Sequence, residues 1–502
     1  MDVAEVPPSE GNEARWEGRL EVGAVSSTDE AWEPTLRDPV EGRGGRVMEP
    51  LEGKMTEPLN SGDISTRLQR VAELSRARPE RVFMSLSHVI DLEWLREAYR
   101  LTRKDAAAGV DGQSATAYGE KLEENLQSLL DRLHTGMYKA PPVRRVYIPK
   151  ADGKTMRPLG VPTFEDKVLQ RAVAMVLEAV YEQDFLGCSY GFRPGRSAHQ
   201  ALQALWEGTM SMNGGWVLDL DIQKFFDELD HEQLRSFLDR RVKDGVIRRV
   251  VHKWLHAGVM EAGEVHFPEA GTPQGGVISP LLANVYLHEV LDVWFEGEIR
   301  PRLRGRSLLV RYADDAVMVF EHEDDARRVL DVLPKRFGRF GLRLHPEKTR
   351  LVRFERPDSD DGHAGPPSAR PETFDFLGFT HYWGRSRNGR PVVRRKTARS
   401  RLSRALKRVK AVCRTQRHLP LPVQHARLSL MLRGHYGYYG ITGNGESLMR
   451  FRFAVRRLWR RWLDRRSQRA RMNWDRYALL LARYPLPPVR VVQSVYRLSA
   501  RP

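Results

Sequence analysis

The sequence predicts an α+β body followed by an all-α, strongly basic module. Three observations carry this. Apolar residues between about 64 and 379 switch repeatedly between three- and four-residue spacing and strict alternation. Beyond Arg394 only helical spacing recurs. Between Arg385 and Arg476, 27 Lys and Arg stand against three acids, Glu446, Asp464 and Asp475. That surplus exceeds the +17 of the whole chain, so the remaining sequence is net acidic. A basic excess confined to one module predicts a dedicated surface for a polyanion, nucleic acid before an anionic membrane. At 502 residues, two to four domains are expected.

Residues 1–62 carry Pro7-Pro8, Gly42-Arg43-Gly44-Gly45 and scattered Glu without apolar periodicity, and are expected to form a disordered acidic leader. Leu68, Val71 and Leu74, then Ile90, Leu92, Leu95 and Tyr99, predict helices, as does Tyr118 to Leu133. Val143 to Pro149 alternates as a strand, and Asp152-Gly153 predicts the hairpin turn leading to Arg157-Pro158-Leu159. Helices are expected over 164–185, 198–210 and 324–340, and strands over 216–222 and 374–379. Leu308 to Phe320 is apolar on both sides of Asp314-Asp315 and predicts two strands joined by an acidic turn. Pro357 to Pro371 is a polar loop, and Gly384 to Gly389 is the expected boundary to the basic module. There Leu402, Leu406, Val409 and Cys413 mark one apolar helix face, and Leu448, Phe451, Val455, Leu458 and Trp462 another.

Cys188 and Cys413 are too few and too far apart for a disulfide framework or a Cys-x-x-Cys zinc site. No apolar run reaches the roughly 18 residues of a membrane span. A cytoplasmic setting is the expectation.

The acidic turn is the first candidate for chemistry. Asp314 and Asp315 lie among Leu309, Val310, Val317 and Val319, where adjacent charges repel and are partly desolvated. A divalent cation relieves that cost, and hard oxygen ligands suit Mg²⁺. A solvated Asp-Asp turn is the plainer alternative. Asp219-Leu220-Asp221-Ile222 ends a second apolar strand, and one carboxylate from it with the Asp314-Asp315 pair can hold two metals about 4 Å apart. An N-cap or a salt-bridged strand end remains an alternative for Asp219 or Asp221.

In order along the chain stand Gly109-Val110-Asp111-Gly112, Tyr147-Ile148-Pro149-Lys150, Arg157-Pro158-Leu159-Gly160 and Ser189-Tyr190-Gly191-Phe192-Arg193-Pro194. Asp221 to His231, Gly271-Thr272-Pro273-Gln274-Gly275-Gly276, Tyr312-Ala313-Asp314-Asp315, Leu344 to Thr349 and Phe376-Leu377-Gly378-Phe379 follow. From about 64 to 470 the ordered set resembles the group II intron reverse transcriptases, or maturases. The resemblance implies a right-hand polymerase, with fingers and palm over 63–384 and an all-α thumb and maturase domain over 385–476. It implies a catalytic, metal-binding triad of Asp221, Asp314 and Asp315 using two Mg²⁺ ions. Asp221 is preferred to Asp219 because the family's aromatic follows five positions later, at Phe226, where its bulk would exclude a 2′-hydroxyl. Lys150 and Arg157 would grip the triphosphate, and Gln274 would contact sugar or base. Arg193 would contact the template or line the nucleotide pocket, and Lys348 would support the catalytic strands electrostatically.

The module's most recognisable part is Arg433-Gly434-His435-Tyr436-Gly437-Tyr438-Tyr439-Gly440. Arg433 would pair with phosphate, and His435, Tyr436, Tyr438 and Tyr439 would stack on unpaired bases. Trp459, Trp462, Leu458 and Leu463 are expected in the core. The short tail over 477–502 holds no His-Asn-His pattern and no cysteine pair, so no endonuclease domain is expected. The implied partners are the intron RNA, a DNA target and primer strand, and deoxynucleoside triphosphates, with a homodimer as one arrangement. The implied function is RNA-directed DNA synthesis joined to splicing of the intron. The alternatives are a host-domesticated reverse transcriptase, such as one in defence, and a splicing-only maturase.

Overall fold

The computed structural model describes residues 62–149, 155–261, 264–267, 271, 275–357, 371–386, 388–467 and 471–493. The expected leader, the Asp152-Gly153 turn, Lys150 and Gln274 lie outside the described residues.

Helices α1 (Gly62–Ala77), α2 (Leu92–Leu101), α3 (Ala115–Glu120) and α4 (Leu122–His134) come first. Trp94, Leu95, Leu126 and Leu129 of α2 and α4 are fully buried, while Leu74 of α1 stays exposed. Strands β1 (Val143–Pro149) and β2 (Met156–Val161) pair antiparallel, with Val146 opposite Leu159. Helix α5 (Phe164–Tyr181) starts where the Thr163 side chain accepts a hydrogen bond from the Asp166 N–H. Val168, Leu169, Val173 and Val176 are all inaccessible, and α5 is buried in the main core along a wide apolar face, with Asp166, Lys167 and Gln170 buried too. Helix α6 (Ala198–Ser211) opens with a capping box between Ser197 and Gln200.

Strand β3 (Trp216–Gln223) is followed by α7 (Phe225–Glu228), α8 (His231–Asp239), α9 (Gly245–Leu255), β4 (Val259–Glu261), β5 (Glu264–His266) and α10 (Ser279–Leu287). The hairpin β6 (Ser307–Tyr312) and β7 (Asp315–Phe320) comes next, then α11 (Glu323–Gly338), β8 (Arg343–Leu344) and β9 (Arg350–Arg353). The main sheet runs β6-β7-β3-β8, with β9 also paired to β3. The smaller sheet runs β2-β1-β4-β5. Strand β3 sends Leu218 and Leu220 into the main core and Val217 into a second core on the other face. Burial on both sides explains its near-continuous apolar run.

Two expectations need correction. The strand expected over 374–379 is a hairpin. Strand β10 (Phe374–Phe376) ends at Leu377 and Gly378, both with positive φ, and the chain reverses into β11 (Phe379–Arg385) and β12 (Pro391–Thr397). The expected boundary near Gly384 falls inside the β11–β12 ladder, and the first helix of the basic module, α12 (Arg399–Thr415), begins only at Arg399. The alternating Val393, Arg395 and Thr397 face inward and hold the segment in the sheet.

Helices α13 (Leu421–Tyr439), α14 (Gly445–Leu463) and α15 (Trp474–Arg483) complete the module. Val409, Leu432, Phe451, Val455, Trp459 and Leu463 form its core. Helix α15 spans the expected start of the tail, and buried Tyr477 and Leu486 join the same core.

His381 on β11 is inaccessible and stacks on Phe374, with ring centroids 4.7 Å apart. Neither ring nitrogen has a hydrogen-bond partner among the described residues. Burial, helped by Arg395, lowers its pKa from 6.5 to about 3. A depressed folded-state pKa means the neutral ring contributes stability above pH 6.5, which is lost as pH falls toward 3. The His381→Phe variant is predicted to melt at or above the wild-type temperature at pH 5, with a shallower acid slope; an unchanged slope across pH 4–7 would contradict this.

Candidate active site

Strand register gathers the acidic residues. Asp221 near the end of β3 lies opposite Asp315, the first residue of β7. Tyr312, the last residue of β6, also faces Asp315 across the hairpin. The turn between them is Ala313-Asp314, with Ala313 at a left-handed φ of 57°. The three aspartates therefore share one end of the sheet, half-buried, while Leu218 and Met318 below them are inaccessible.

The two carboxylates of β3 have different surroundings. Asp219 pairs with Arg350 of β9 at 3.6 Å. Burial pushes its pKa up to about 6 against the pull of Arg350. Both oxygens of Asp221 lie 3.4 Å from Lys348 Nζ. Asp219 is thus tied into the sheet, and Asp221 meets Asp315 and a cationic side chain. Lys348, expected to support the strands electrostatically, is ion-paired with Asp221.

The segments expected to surround a nucleotide can be placed in turn. Lys224 takes a left-handed φ of 43° and starts α7. Phe225 turns into the core against Tyr286, while Phe226 stays half-exposed and packs edge-on against Phe225. Gly271 N–H donates to Leu229 O at 2.8 Å. A Cβ on Gly275, whose φ is 120°, would lie 2.6 Å from Gly160 O of β2. The glycines flanking Gln274 therefore touch both the Phe226 segment and the β1–β2 hairpin. Val277 N–H donates to Gln170 Oε1 of α5 at 2.7 Å, a support the sequence reading missed. Arg157 is half-buried on β2, opposite Ile148.

Several expected RNA contacts belong to the interior instead. Arg193 is 7% exposed. Its guanidinium donates to Glu182 at 2.7 Å, Leu186 O at 2.7 Å and Ser189 O at 2.9 Å, so it is spent inside the protein. His435 is buried and stacks on Phe451 at 3.9 Å, and burial lowers its pKa to about 4. Tyr436 lies in the helical core. Tyr438 donates to Leu377 O at 2.8 Å, and Tyr439 packs on Phe379. His435 and Tyr436 are thus buried and Tyr438 and Tyr439 half-buried, with their rings packed against other parts of the protein. Arg433 alone of that group is exposed. Trp459 and Leu463 are buried in the core as expected.

The family model for reverse transcriptase (RNA-dependent DNA polymerase) matches residues 148–381, which include the acidic edge and its surround. Protein YkfC of Escherichia coli is 34% identical over 366 residues, 65% of this chain and 90% of that protein. The group II intron-encoded protein LtrA of Lactococcus lactis is 35% identical over 285 residues, 54% of this chain but 46% of LtrA. The putative COX1/OXI3 intron 1 protein of Saccharomyces cerevisiae is 36% identical over 184 residues, 36% of this chain and 21% of that protein. This chain belongs to the group II intron reverse transcriptase and maturase family. Membership brings the palm and fingers polymerase fold and the RNA-directed DNA polymerase class, with nucleic acid as substrate and divalent metal as the usual cofactor. Among the described residues, no helix of this reverse transcriptase is long and apolar enough to cross a membrane.

If Arg193 is an internal brace, Arg193→Ala should lower folding stability by about 3 kcal/mol, because Glu182 and three carbonyls lose a buried cation. Chemical denaturation with parallel template-binding measurements checks this. Weakened template binding at unchanged stability would restore the surface role.

Proposed function

We propose that this reverse transcriptase is encoded by a group II intron, binds its intron RNA to assist splicing, and copies that RNA into DNA in the cytoplasm. The observation that supports this most is the register that brings Asp221 and Asp315 face to face beside the Asp314 turn, in a chain with a basic helical module.

The donor set suits divalent cations. Three carboxylates share a partly desolvated sheet end, and the approach of Lys348 to Asp221 at 3.4 Å indicates a site where positive charge is favoured. Among the described residues no three His, Cys, Asp or Glu side chains form a preformed metal cage. Mg²⁺ is compatible with that, because it keeps waters and accepts phosphate oxygens as ligands. Asp221, Asp314 and Asp315 would hold two such ions, which when bound favour the ionised 3′-hydroxyl and offset charge on the departing pyrophosphate.

The protein's own residues supply position. Phe226 would lie under the incoming sugar and reject a 2′-hydroxyl by bulk. Arg157, with Lys150, would bind the triphosphate, and Gln274 would contact sugar or base from a loop whose glycine neighbours touch Gly160 and Leu229. Lys407, Lys410 and Arg414 share one exposed face of α12 and, with Arg433, would contact RNA phosphates. Target DNA and a second copy of the chain are further proposed partners.

Primer extension on an RNA template tests the central reading. Asp314→Ala should lose about 10²-fold or more in rate while keeping RNA affinity and splicing assistance. Equal extension by both proteins would sink the polymerase claim. Replacing Lys407, Lys410 and Arg414 together by Gln should weaken intron RNA binding and shallow its salt dependence by about two units of log–log slope. An unchanged slope would move the phosphate contacts elsewhere.

A further inference from the structure

Arg311 precedes the acidic turn and has no exposed surface. Its guanidinium meets Asp292, also inaccessible, through Nε to Oδ1 at 2.7 Å and Nη2 to Oδ2 at 2.5 Å. The remaining nitrogen, Nη1, donates to Asn284 Oδ1 and to the carbonyl of Ala313, each at 3.0 Å. Asn284 in turn donates from Nδ2 to Gly191 O at 2.7 Å. Gly191 lies directly against the turn: a Cβ there would fall 2.3 Å from Ala313 N. The Cys188 to Gly191 segment is itself fixed to β6, since Arg311 N–H donates to Cys188 O and Tyr190 N–H donates to Arg311 O, both at 2.8 Å.

The helix carrying Asn284 and Asp292 is built to present both at once. After α10 the chain continues through a π-helical turn over His288–Asp292. In a regular α-helix, residues eight apart diverge by about 80° around the axis. A π turn takes up one extra residue, so the pair behaves as if seven apart and lies within about 20°. Asn284 and Asp292 then face the same guanidinium, as the distances show. The fork geometry of Arg is needed here, because one side chain must serve a bidentate carboxylate and two further acceptors.

We infer that Arg311 is a positioning residue for the polymerase reaction. Held by Asp292 and Asn284, it fixes the Ala313 carbonyl, and with it the left-handed turn that sets Asp314 and Asp315 relative to Asp221. The side chain touches no substrate. It acts through the backbone of the turn, from a fully buried position. This rests on the polymerase reading and deepens it.

The test uses the full-length chain in primer extension, with MgCl₂ varied. Arg311→Met combined with Asp292→Leu removes the ion pair without leaving a buried charge, so folding should persist. A turn displaced by about 1 Å should cost about 10²-fold in kcat. KM for deoxynucleotide should stay near wild type, and the MgCl₂ concentration for half-maximal rate should rise. Arg311→Lys keeps charge without the fork and should recover only part of the rate. If the double variant melts early, Asn284→Leu carries the test, since it leaves the ion pair intact but removes the link that joins Arg311 to Gly191 against the turn. It should lose kcat and metal affinity in the same pattern. A folded double variant, or Asn284→Leu, that extends primers with wild-type kcat and metal dependence would overturn the inference. Absence of extension by the wild type itself would instead sink the polymerase reading.

Discussion

Like charges crowded at one end of the β3–β7 ladder set the terms for the rest of the molecule. Asp221 faces Asp315 across the sheet, with Asp219 two residues back and Asp314 in the adjoining turn. Repulsion and partial desolvation both act against this arrangement. The surroundings answer with cations at three levels: Arg350 beside Asp219, Lys348 beside Asp221, and Arg311 below the turn. The sheet that bears the charges is buried on both faces, so the carboxylates cannot relax apart by moving the strands. A close-packed scaffold turns an unfavourable cluster into a fixed one.

The neighbouring loops depend on backbone proximity more than on side-chain contacts. Gly275 allows its loop to lie against Gly160 of the β1–β2 hairpin, and Gly191 allows its segment to press on Ala313. Any side chain at either position would force the backbone segments apart, because the opposing atoms are backbone and cannot rotate away. The β1–β2 hairpin meets Gly275, and the acidic turn meets Gly191, through contacts that a sequence records only as glycine.

Where periodicity and a short turn decide the structure, the sequence was readable. Strand β1 falls on the alternating residues Val143 to Pro149, and the acidic turn falls between two apolar strands as expected. Asp221 could be chosen over Asp219 only through family spacing, since both carboxylates are ion-paired, Asp219 with Arg350 at 3.6 Å and Asp221 with Lys348 at 3.4 Å. Long-range partners left no such trace. Nothing local marks Asp292, Asn284 or Gln170 as supports, since each acts on a segment far away in the chain. The hairpin at Leu377-Gly378 was read as one strand because a two-residue reversal barely interrupts an apolar run. Arg193 misled for the opposite reason. An Arg in a family motif suggests substrate, yet Glu182 and three carbonyls enclose it.

The basic module shows why residue type without helical phase is a poor guide to a binding surface. His435, Tyr436 and Tyr439 sit at positions i, i+1 and i+4 of α13, one face of a helix, and that face is the core side. The outward aromatics are different ones. Phe453 is 56% exposed with Arg457 over its ring, and Trp474 is 45% exposed with Arg460 at 4.2 Å from its ring centroid. An Arg held over an exposed ring combines a phosphate partner with an apolar plane. Charge count alone pointed to a polyanion, but the phase of α13 and α14 decides which aromatic groups any such partner could reach.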